Sequence, residues 1–227
     1  MKIHISLDEL IQARILSIKL FEACRLGFFY LEIPPACQQL IDEALQLADS
    51  FSKDRKYRKL RSKIYSQEHA SELSKSLSIE KQYWEELLPH RLISLAHMMS
   101  TLGLYLLRKV WEIFQIPEEI GGSAIGNLVE NKGPAYFVFN HYIPWKIREN
   151  SQAHKILGQI AVLFISQPGL ETKVNGEWVA IDPTPNYFIV NFGTALESYV
   201  NNPECLNAAC HRVRPISHDC VSFGVFK

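Results

Sequence analysis

The chain reads as an α+β fold, helical in its first half and built from many short strands in its second. Three observations carry this reading. Apolar residues recur at helical spacing up to about residue 115 and alternate from about residue 123 onward. Turn signals punctuate the second half at short intervals, Asn175-Gly176 being the clearest. The 227 residues, 47% of them hydrophobic, suffice for one large core. No repeat, low-complexity tract or linker interrupts them, so a single domain over 1–227 is expected. In it, 1–122 form a mainly helical N-terminal part, and 123–227 form a sandwich or barrel of short strands.

Taken in order, residues 7–26 are expected to form the first helix. Ser6 is its N-cap, Glu9 the capping-box partner, and Gly27 the stop. Leu7, Leu10, Ile11, Ile15, Ile18 and Phe21 supply its apolar spacing. Phe28 to Ile33 read as a strand ended by Pro34-Pro35, and Gln38 to Ser50 as a second helix. Residues 53–63 carry seven basic side chains around Tyr57 and read as a solvated face rather than a phosphate contact. Residues 79–115 form the longest helical stretch, broken near Pro89. From Leu92 to Phe114 that stretch presents a broad apolar face, in which Met98 and Met99 are core filler.

Strands follow at Tyr136–Tyr142, Ile156–Ser166, Tyr187–Phe192, Ala208–Arg214 and Cys220–Phe226. A hairpin turns at Asn175-Gly176, and a short helix or turn covers 193–201. On strand Tyr136–Tyr142 alternation turns His141 away from Asn140 and Tyr142.

Composition narrows the function. Formal net charge is zero, so no global field recruits nucleic acid or an anionic membrane. No apolar run reaches membrane-spanning length, and the first residues lack the apolar region of a signal peptide. Five cysteines, an odd number without metal-type spacing, read as reduced thiols. The expected location is cytoplasmic, and secretion without an N-terminal signal would leave no mark in the sequence.

Two stretches together carry a family resemblance. The first is the order helix, Leu26-Gly27-Phe28-Phe29-Tyr30, strand, proline, helix. The second runs from His154 through the apolar strand, Asn175-Gly176-Glu177-Trp178-Val179, Tyr187 to Gly193, and His211-Arg212-Val213, to Val221-Ser222-Phe223. This order resembles the Fe(II)/2-oxoglutarate dioxygenases, in particular the plant-type, isopenicillin-N-synthase-like branch, and it covers most of the chain. The resemblance implies a double-stranded β-helix, or jelly roll, with the helical N-terminal region packed on it. It also implies that the long helix backs the barrel.

The resemblance further implies a site. His154 and His211 match the two metal histidines. Asn140 and Tyr142, with His141 between them, match the Asn-x-Tyr that reaches the co-substrate. Ser222 matches the serine of Arg-x-Ser. Two positions depart from the pattern: Ile156 stands where the metal carboxylate is expected, and Cys220 where the co-substrate arginine is expected. Isoleucine has no lone pair, and a thiol makes no bidentate pair with a carboxylate. Asp219, Glu149 or Asp182 are open candidates for the acid, and Arg212, Arg214 or Lys155 for the cation. His141, His218 and Asp219 show no metal spacing of their own, and His141 reads as structural or exposed, as do His90 and His97. Cys210 and His211 are strand neighbours on opposite faces, so they do not form a nucleophile pair.

Plant-type relatives continue beyond the last barrel strand. A chain ending at Lys227 is therefore expected to have a more open pocket, or one closed by another protein. Phe137, Phe139, Phe164, Trp178 and Phe192 would make an apolar pocket, although such residues are more often core.

Two principal readings follow. One is a divergent non-haem iron oxygenase with Fe(II) and 2-oxoglutarate as cofactors and a small molecule as substrate. The other is a catalytically inactive relative that uses the jelly roll to bind a ligand or a protein partner. A third, a non-oxidative metal enzyme, lacks an acid or base in the sequence.

Overall fold

The computed structural model describes residues 2–53, 74–117, 135–142, 144, 151–200, 202 and 204–227. For 48–53 and 74–76 it describes the backbone alone. Residues 54–63 of the basic run and Glu149 lie outside the described residues.

The chain opens with strand β1 (His4–Ile5) and a short helix α1 (Leu7–Leu10). The capping box forms as the sequence predicts: Glu9 N–H donates to Ser6 Oγ at 3.3 Å, and Ser6 N–H donates to the Glu9 carboxylate at 2.9 Å. The helix nevertheless stops after one turn. Gln12, at ψ 85°, leaves the helical region before helix α2 (Ala13–Leu26) begins. The cause is tertiary. Leu7 N–H donates to the Glu32 carboxylate at 2.8 Å, and Lys19 binds Glu9 at 2.6 Å while donating to the His4 carbonyl. These bonds pin the first turn to the neighbouring strand and fold α2 back over it. The buried face of α2 is Leu16, Leu20, Ala23 and Cys24; Ile15, Ile18 and Phe21 sit on its exposed side.

Strand β2 (Phe28–Glu32) follows Gly27, which takes φ +87° as the left-handed C-cap. Helix α3 (Pro35–Lys53) starts at Pro35, whose missing N–H is no loss at a first helical position. Strand β3 (Ser74–Glu80) then occupies the start of the stretch expected to be helical. A 3₁₀ turn (Lys81–Tyr83) and a one-turn helix α4 (Trp84–Leu87) intervene before the long helix α5 (His90–Ile113). The fully buried Trp84 donates its indole N–H to the Ile79 carbonyl at 2.9 Å, which ties this connection to β3.

The remaining elements are β4 (Tyr136–Tyr142), β5 (His154–Lys155), β6 (Ile160–Ile165), β7 (Leu170–Val174), β8 (Glu177–Ala180), β9 (Tyr187–Phe192), α6 (Thr194–Val200), β10 (Cys210–Val213) and β11 (Cys220–Phe226). They complete two sheets. A seven-stranded sheet runs β1-β2-β9-β6-β11-β4-β3, and a four-stranded sheet runs β5-β10-β7-β8. Three strands of the large sheet thus come from the first 80 residues. The β7–β8 hairpin turns on Asn175 (φ 51°) and Gly176 (φ 88°), the two positive-φ positions a type I′ turn requires.

Alternation gives the large sheet two different faces. Phe137, Phe139, Phe188, Val190, Phe192 and Phe223 turn to the helices and join the main core with α2, α3 and α5. Phe28, Tyr30, Ile165 and Ile189 turn the other way and pack with Leu170 and Val174 of the small sheet. The two sheets therefore face each other across a second, smaller apolar layer, and the candidate site lies on the walls of this layer. Among the described residues, no helix is long and apolar enough to cross a membrane.

The strand expected at Ile156–Ser166 forms only over Ile160–Ile165. His154 and Lys155 belong to the small sheet, Ile160–Ile165 to the large one, and 156–159 cross between them. Two glycines permit that crossing: a Cβ on Gly158 would land on the Lys227 carbonyl, and one on Gly193 on the Gly158 carbonyl.

Candidate metal and co-substrate site

His154 and His211 are direct cross-strand partners in β5 and β10. Their ring centroids lie 4.3 Å apart at 58°. His211 also stands opposite Thr172 of β7, which is fully buried, so the pair shares the face turned to the inter-sheet layer. Each ring is held from behind. His154 Nδ1 lies 3.1 Å from the Gln152 carbonyl oxygen, and His211 Nδ1 lies 3.3 Å from that of Ala209. A carbonyl oxygen only accepts, so Nδ1 carries a proton in both rings, and a neutral ring in this orientation presents its lone pair at Nε2. Burial, followed by the repulsion of His154, lowers the His211 pKa to about 4, so its ring is neutral at physiological pH.

This donor set fits a divalent transition metal at two positions. Imidazoles oriented through Nδ1–H···O=C bonds are the usual form of histidine ligands. Ile156, 6% exposed, supplies no donor, and among the described residues no group of three metal-binding side chains forms. Two acids weighed from the sequence are engaged elsewhere. Asp219 lies 3.0 Å from His141 Nε2, and Asp182 lies 3.8 Å from Arg214.

A second polar group lines the large sheet. Asn140 pairs with Ser222, and Tyr142 with Cys220, across β4 and β11. Alternation turns all four to one face, shared with Ile165 of the inter-sheet layer. Asn140 Nδ2 donates to Ser222 Oγ at 3.3 Å. Burial pushes the Tyr142 phenol up to about 12, with a hydrogen bond to Ser222 working against the shift. Burial also raises the Cys220 thiol, whose Sγ lies 3.6 Å from the Gln167 carbonyl. This group is therefore amide, hydroxyl, phenol and thiol, all neutral at physiological pH.

The cations weighed as substitutes for an arginine each hold an acid. Lys155 binds Glu197 at 3.1 Å. Arg212 binds Glu171 at 2.8 Å and stacks 4.1 Å over the Trp178 ring. Arg214 is the partner of Asp182. His141 is buried on the opposite face of β4, as alternation predicts. Of the aromatic residues weighed as pocket walls, Phe137, Phe139 and Phe192 belong to the helix-side core, and Phe164 packs against it.

One residue of the inter-sheet layer escaped the sequence reading. Asn191 is fully buried on β9, and both of its side-chain polar atoms lack a partner. The available signal is a single polar residue inside the apolar run Phe188 to Phe192, in phase with Ile189.

No family model matches the chain. A stretch of 33 residues is 52% identical to the 2'-deoxymugineic-acid 2'-dioxygenase of Hordeum vulgare; it spans 14% of this chain and 10% of that protein. Solved structures align over nearly the whole chain. The dioxygenase for auxin oxidation of Arabidopsis thaliana, in its complex with 2-oxoglutarate, superposes with a TM-score of 0.79 at 20% identity, over 100% of this chain and 92% of that one. The rice dioxygenase for auxin oxidation gives 0.77 at 19% identity, over 100% and 82%. A Neurospora crassa protein solved with alpha-KG and 5-formyluracil gives 0.75 at 18% identity, over 98% and 83%. The chain therefore shares its fold with these solved structures.

Proposed function

We propose that this protein is a divergent non-haem Fe(II) oxygenase that uses 2-oxoglutarate to oxidise a small molecule. The observation that carries the reading is the facing pair His154 and His211, each with Nδ1 turned to a backbone carbonyl. The two sheets are read as a double-stranded β-helix within a single domain spanning 1–227. The five cysteines, all free, accord with a reducing, cytoplasmic setting.

In this reading His154 and His211 hold the metal, and iron bound there supplies the oxygen activation that side chains lack. The protein's own part is positioning. The Gln152 and Ala209 carbonyls fix the two rings. The Tyr142 phenol stays protonated and can donate to a ligand oxygen, as can the Ser222 hydroxyl, with Asn140 orienting Ser222. The apolar layer of Tyr30, Ile165 and Ile189 limits water around them.

The test is anaerobic Fe(II) titration of the metal-stripped protein, with and without 2-oxoglutarate. A metal-to-ligand charge-transfer band on adding the keto acid supports the reading. Iron binding without the band leaves the metal site and removes 2-oxoglutarate from the proposal.

A second reading has its own observation. Ile156 and Cys220 replace two polar functions, and Lys155, Arg212 and Arg214 are each paired with an acid. This favours a catalytically inactive member that binds a ligand or protein, and absence of iron binding would select it.

A further inference from the structure

Helix α2 leaves an apolar face without cover. Of the seven large apolar side chains exposed among the described residues, four lie together here: Ile11 at the α1–α2 junction, and Ile15, Ile18 and Phe21 on α2. Ile18, near the middle of the helix, is 55% exposed, while the opposite side of α2 buries Leu16, Leu20, Ala23 and Cys24 in the core. Exposed apolar residues that cluster mark an interaction surface, whereas scattered single ones do not.

The charges on the same face select what fits it. Arg14, Ile18 and Glu22 are spaced by four and form one row across α2. Arg14 and Glu22 are both exposed, and neither holds an ion pair among the described residues. Lys19, by contrast, is bound to Glu9. The row therefore reads cation, isoleucine, anion, and it is complementary to itself in reverse order.

Such rows are the contact elements of helix packing. In the commonest class the i±4 rows of two helices run alongside each other, with the axes crossing at about 50°. A two-fold axis at Ile18 aligns the row with its copy in either of two senses. In the antiparallel sense Arg14 meets Glu22 of the second copy, Glu22 meets Arg14 of the second copy, and Ile18 packs on Ile18. In the parallel sense Arg14 meets Arg14 and Glu22 meets Glu22, which is repulsive. Ile15 and Phe21, on either side of the row, add apolar contact around it. Formal net charge is zero, so no overall repulsion holds two copies apart.

We propose that the outer face of α2 binds a second copy of this chain about a two-fold axis at Ile18, antiparallel, with Arg14 and Glu22 paired across it twice. The contact is isologous, the type that closes as a dimer. One helix from each copy makes a small interface, so the dimer is reversible, with a dissociation constant of about 1–100 μM. Helix α2 packs on the helix side of the large sheet, away from the inter-sheet layer, and the proposal does not depend on metal binding there.

The test is sedimentation equilibrium of the full chain over a concentration series that brackets this range. The mass is expected to rise from 26.1 kDa toward twice that value. Three variants read the register, with circular dichroism and the melting temperature as checks on folding. Glu22→Arg turns both attractive pairs repulsive and should weaken the dimer about tenfold or more. Arg14→Glu combined with Glu22→Arg exchanges the signs, re-forms both pairs and should recover most of the wild-type affinity. Ile18→Asp should abolish association. Should Ile18→Asp not fold, the two charge variants decide by themselves, since both of their positions are exposed. A wild type that keeps the monomer mass at every concentration would overturn the proposal. So would a dimer insensitive to Glu22→Arg, or one that the double reversal fails to restore, because another surface would then carry it.

Discussion

His154 and His211 are hydrogen-bonded through Nδ1 to the carbonyls of Gln152 and Ala209, with their rings 4.3 Å apart on one face of the small sheet. In the proposed site both rings are ligands, so the loss of either should impair binding. His211→Ala is therefore expected to weaken Fe(II) binding by about two orders of magnitude or more, the upper range for a lost ligand sphere contact. The ring contributes little to the apolar layer, so circular dichroism and the melting temperature of the metal-free protein should stay close to wild type. Unchanged Fe(II) affinity in this variant would remove both histidines from the site.

Ile156→Asp tests the missing donor from the other direction. Ile156 is buried, and an aspartate there costs on the order of a few kcal/mol while unpaired. The metal-free variant should melt below wild type. Fe(II) should then restore the melting temperature and bind about tenfold tighter or better, because a carboxylate has joined two imidazoles. A variant destabilised with and without iron would show that position 156 does not face the metal.

Much of this architecture was legible from local signals. The Ser6–Glu9 capping box, the Gly27 stop and the Asn175-Gly176 turn all depend on residues close in sequence, and each forms as expected. The failures share one cause, which is tertiary contact. The break at Gln12 follows from Leu7 reaching Glu32 and Lys19 reaching Glu9, pairings that no local pattern announces. Residues 79–83 carry no strong strand alternation, yet β3 extends to Glu80 because β4 pairs with it from Ser74 onward. At the site, the facing of His154 and His211 could be anticipated only through the family resemblance, since 57 positions separate them in the chain. Asn191 was overlooked because a lone asparagine in an apolar strand gives no hint, by itself, that its partners are absent.

The alkaline limb of the stability curve should be set in part by two phenols. Burial raises both Tyr30 and Tyr142 from the ordinary value of 10 to about 12. Between those values the unfolded chain has lost these protons and the folded chain retains them. Stability therefore falls as pH rises from 10 to 12 and is unaffected by these groups below 10. Absorbance of phenolate should show Tyr30 and Tyr142 titrating late, and Tyr142→Phe should reduce that late component by one phenol. An unchanged late component in Tyr142→Phe would place Tyr142 in a wetter environment than the inter-sheet layer.

Gly27 packs the end of the N-terminal helix against the segment that leads to the His211 strand, and a pair of alanine substitutions separates its two roles. Gly27 and Gly176 have nearly the same left-handed φ, +87° and +88°. Alanine at either position meets the same backbone strain, about 1–2 kcal/mol. Around Gly176 the added Cβ meets nothing within 4 Å, so Gly176→Ala should lose only that amount. Around Gly27 it would approach the Asn207 carbonyl to 2.8 Å and Ala209 to 3.1 Å. Asn207 N–H is bonded to the Cys24 carbonyl, and the Gly27 carbonyl accepts from Phe192 N–H, so neither side has room to retreat. Gly27→Ala should therefore cost a further 1–3 kcal/mol or so from overpacking. The displaced segment runs through Ala209, whose carbonyl orients His211, so metal affinity should fall together with stability in Gly27→Ala and stay unchanged in Gly176→Ala. Chemical denaturation of both variants, read beside their Co(II) affinities, checks the claim. Equal losses in the two would mean that the chain around Asn207 yields, and that Gly27 is required for its backbone angle alone.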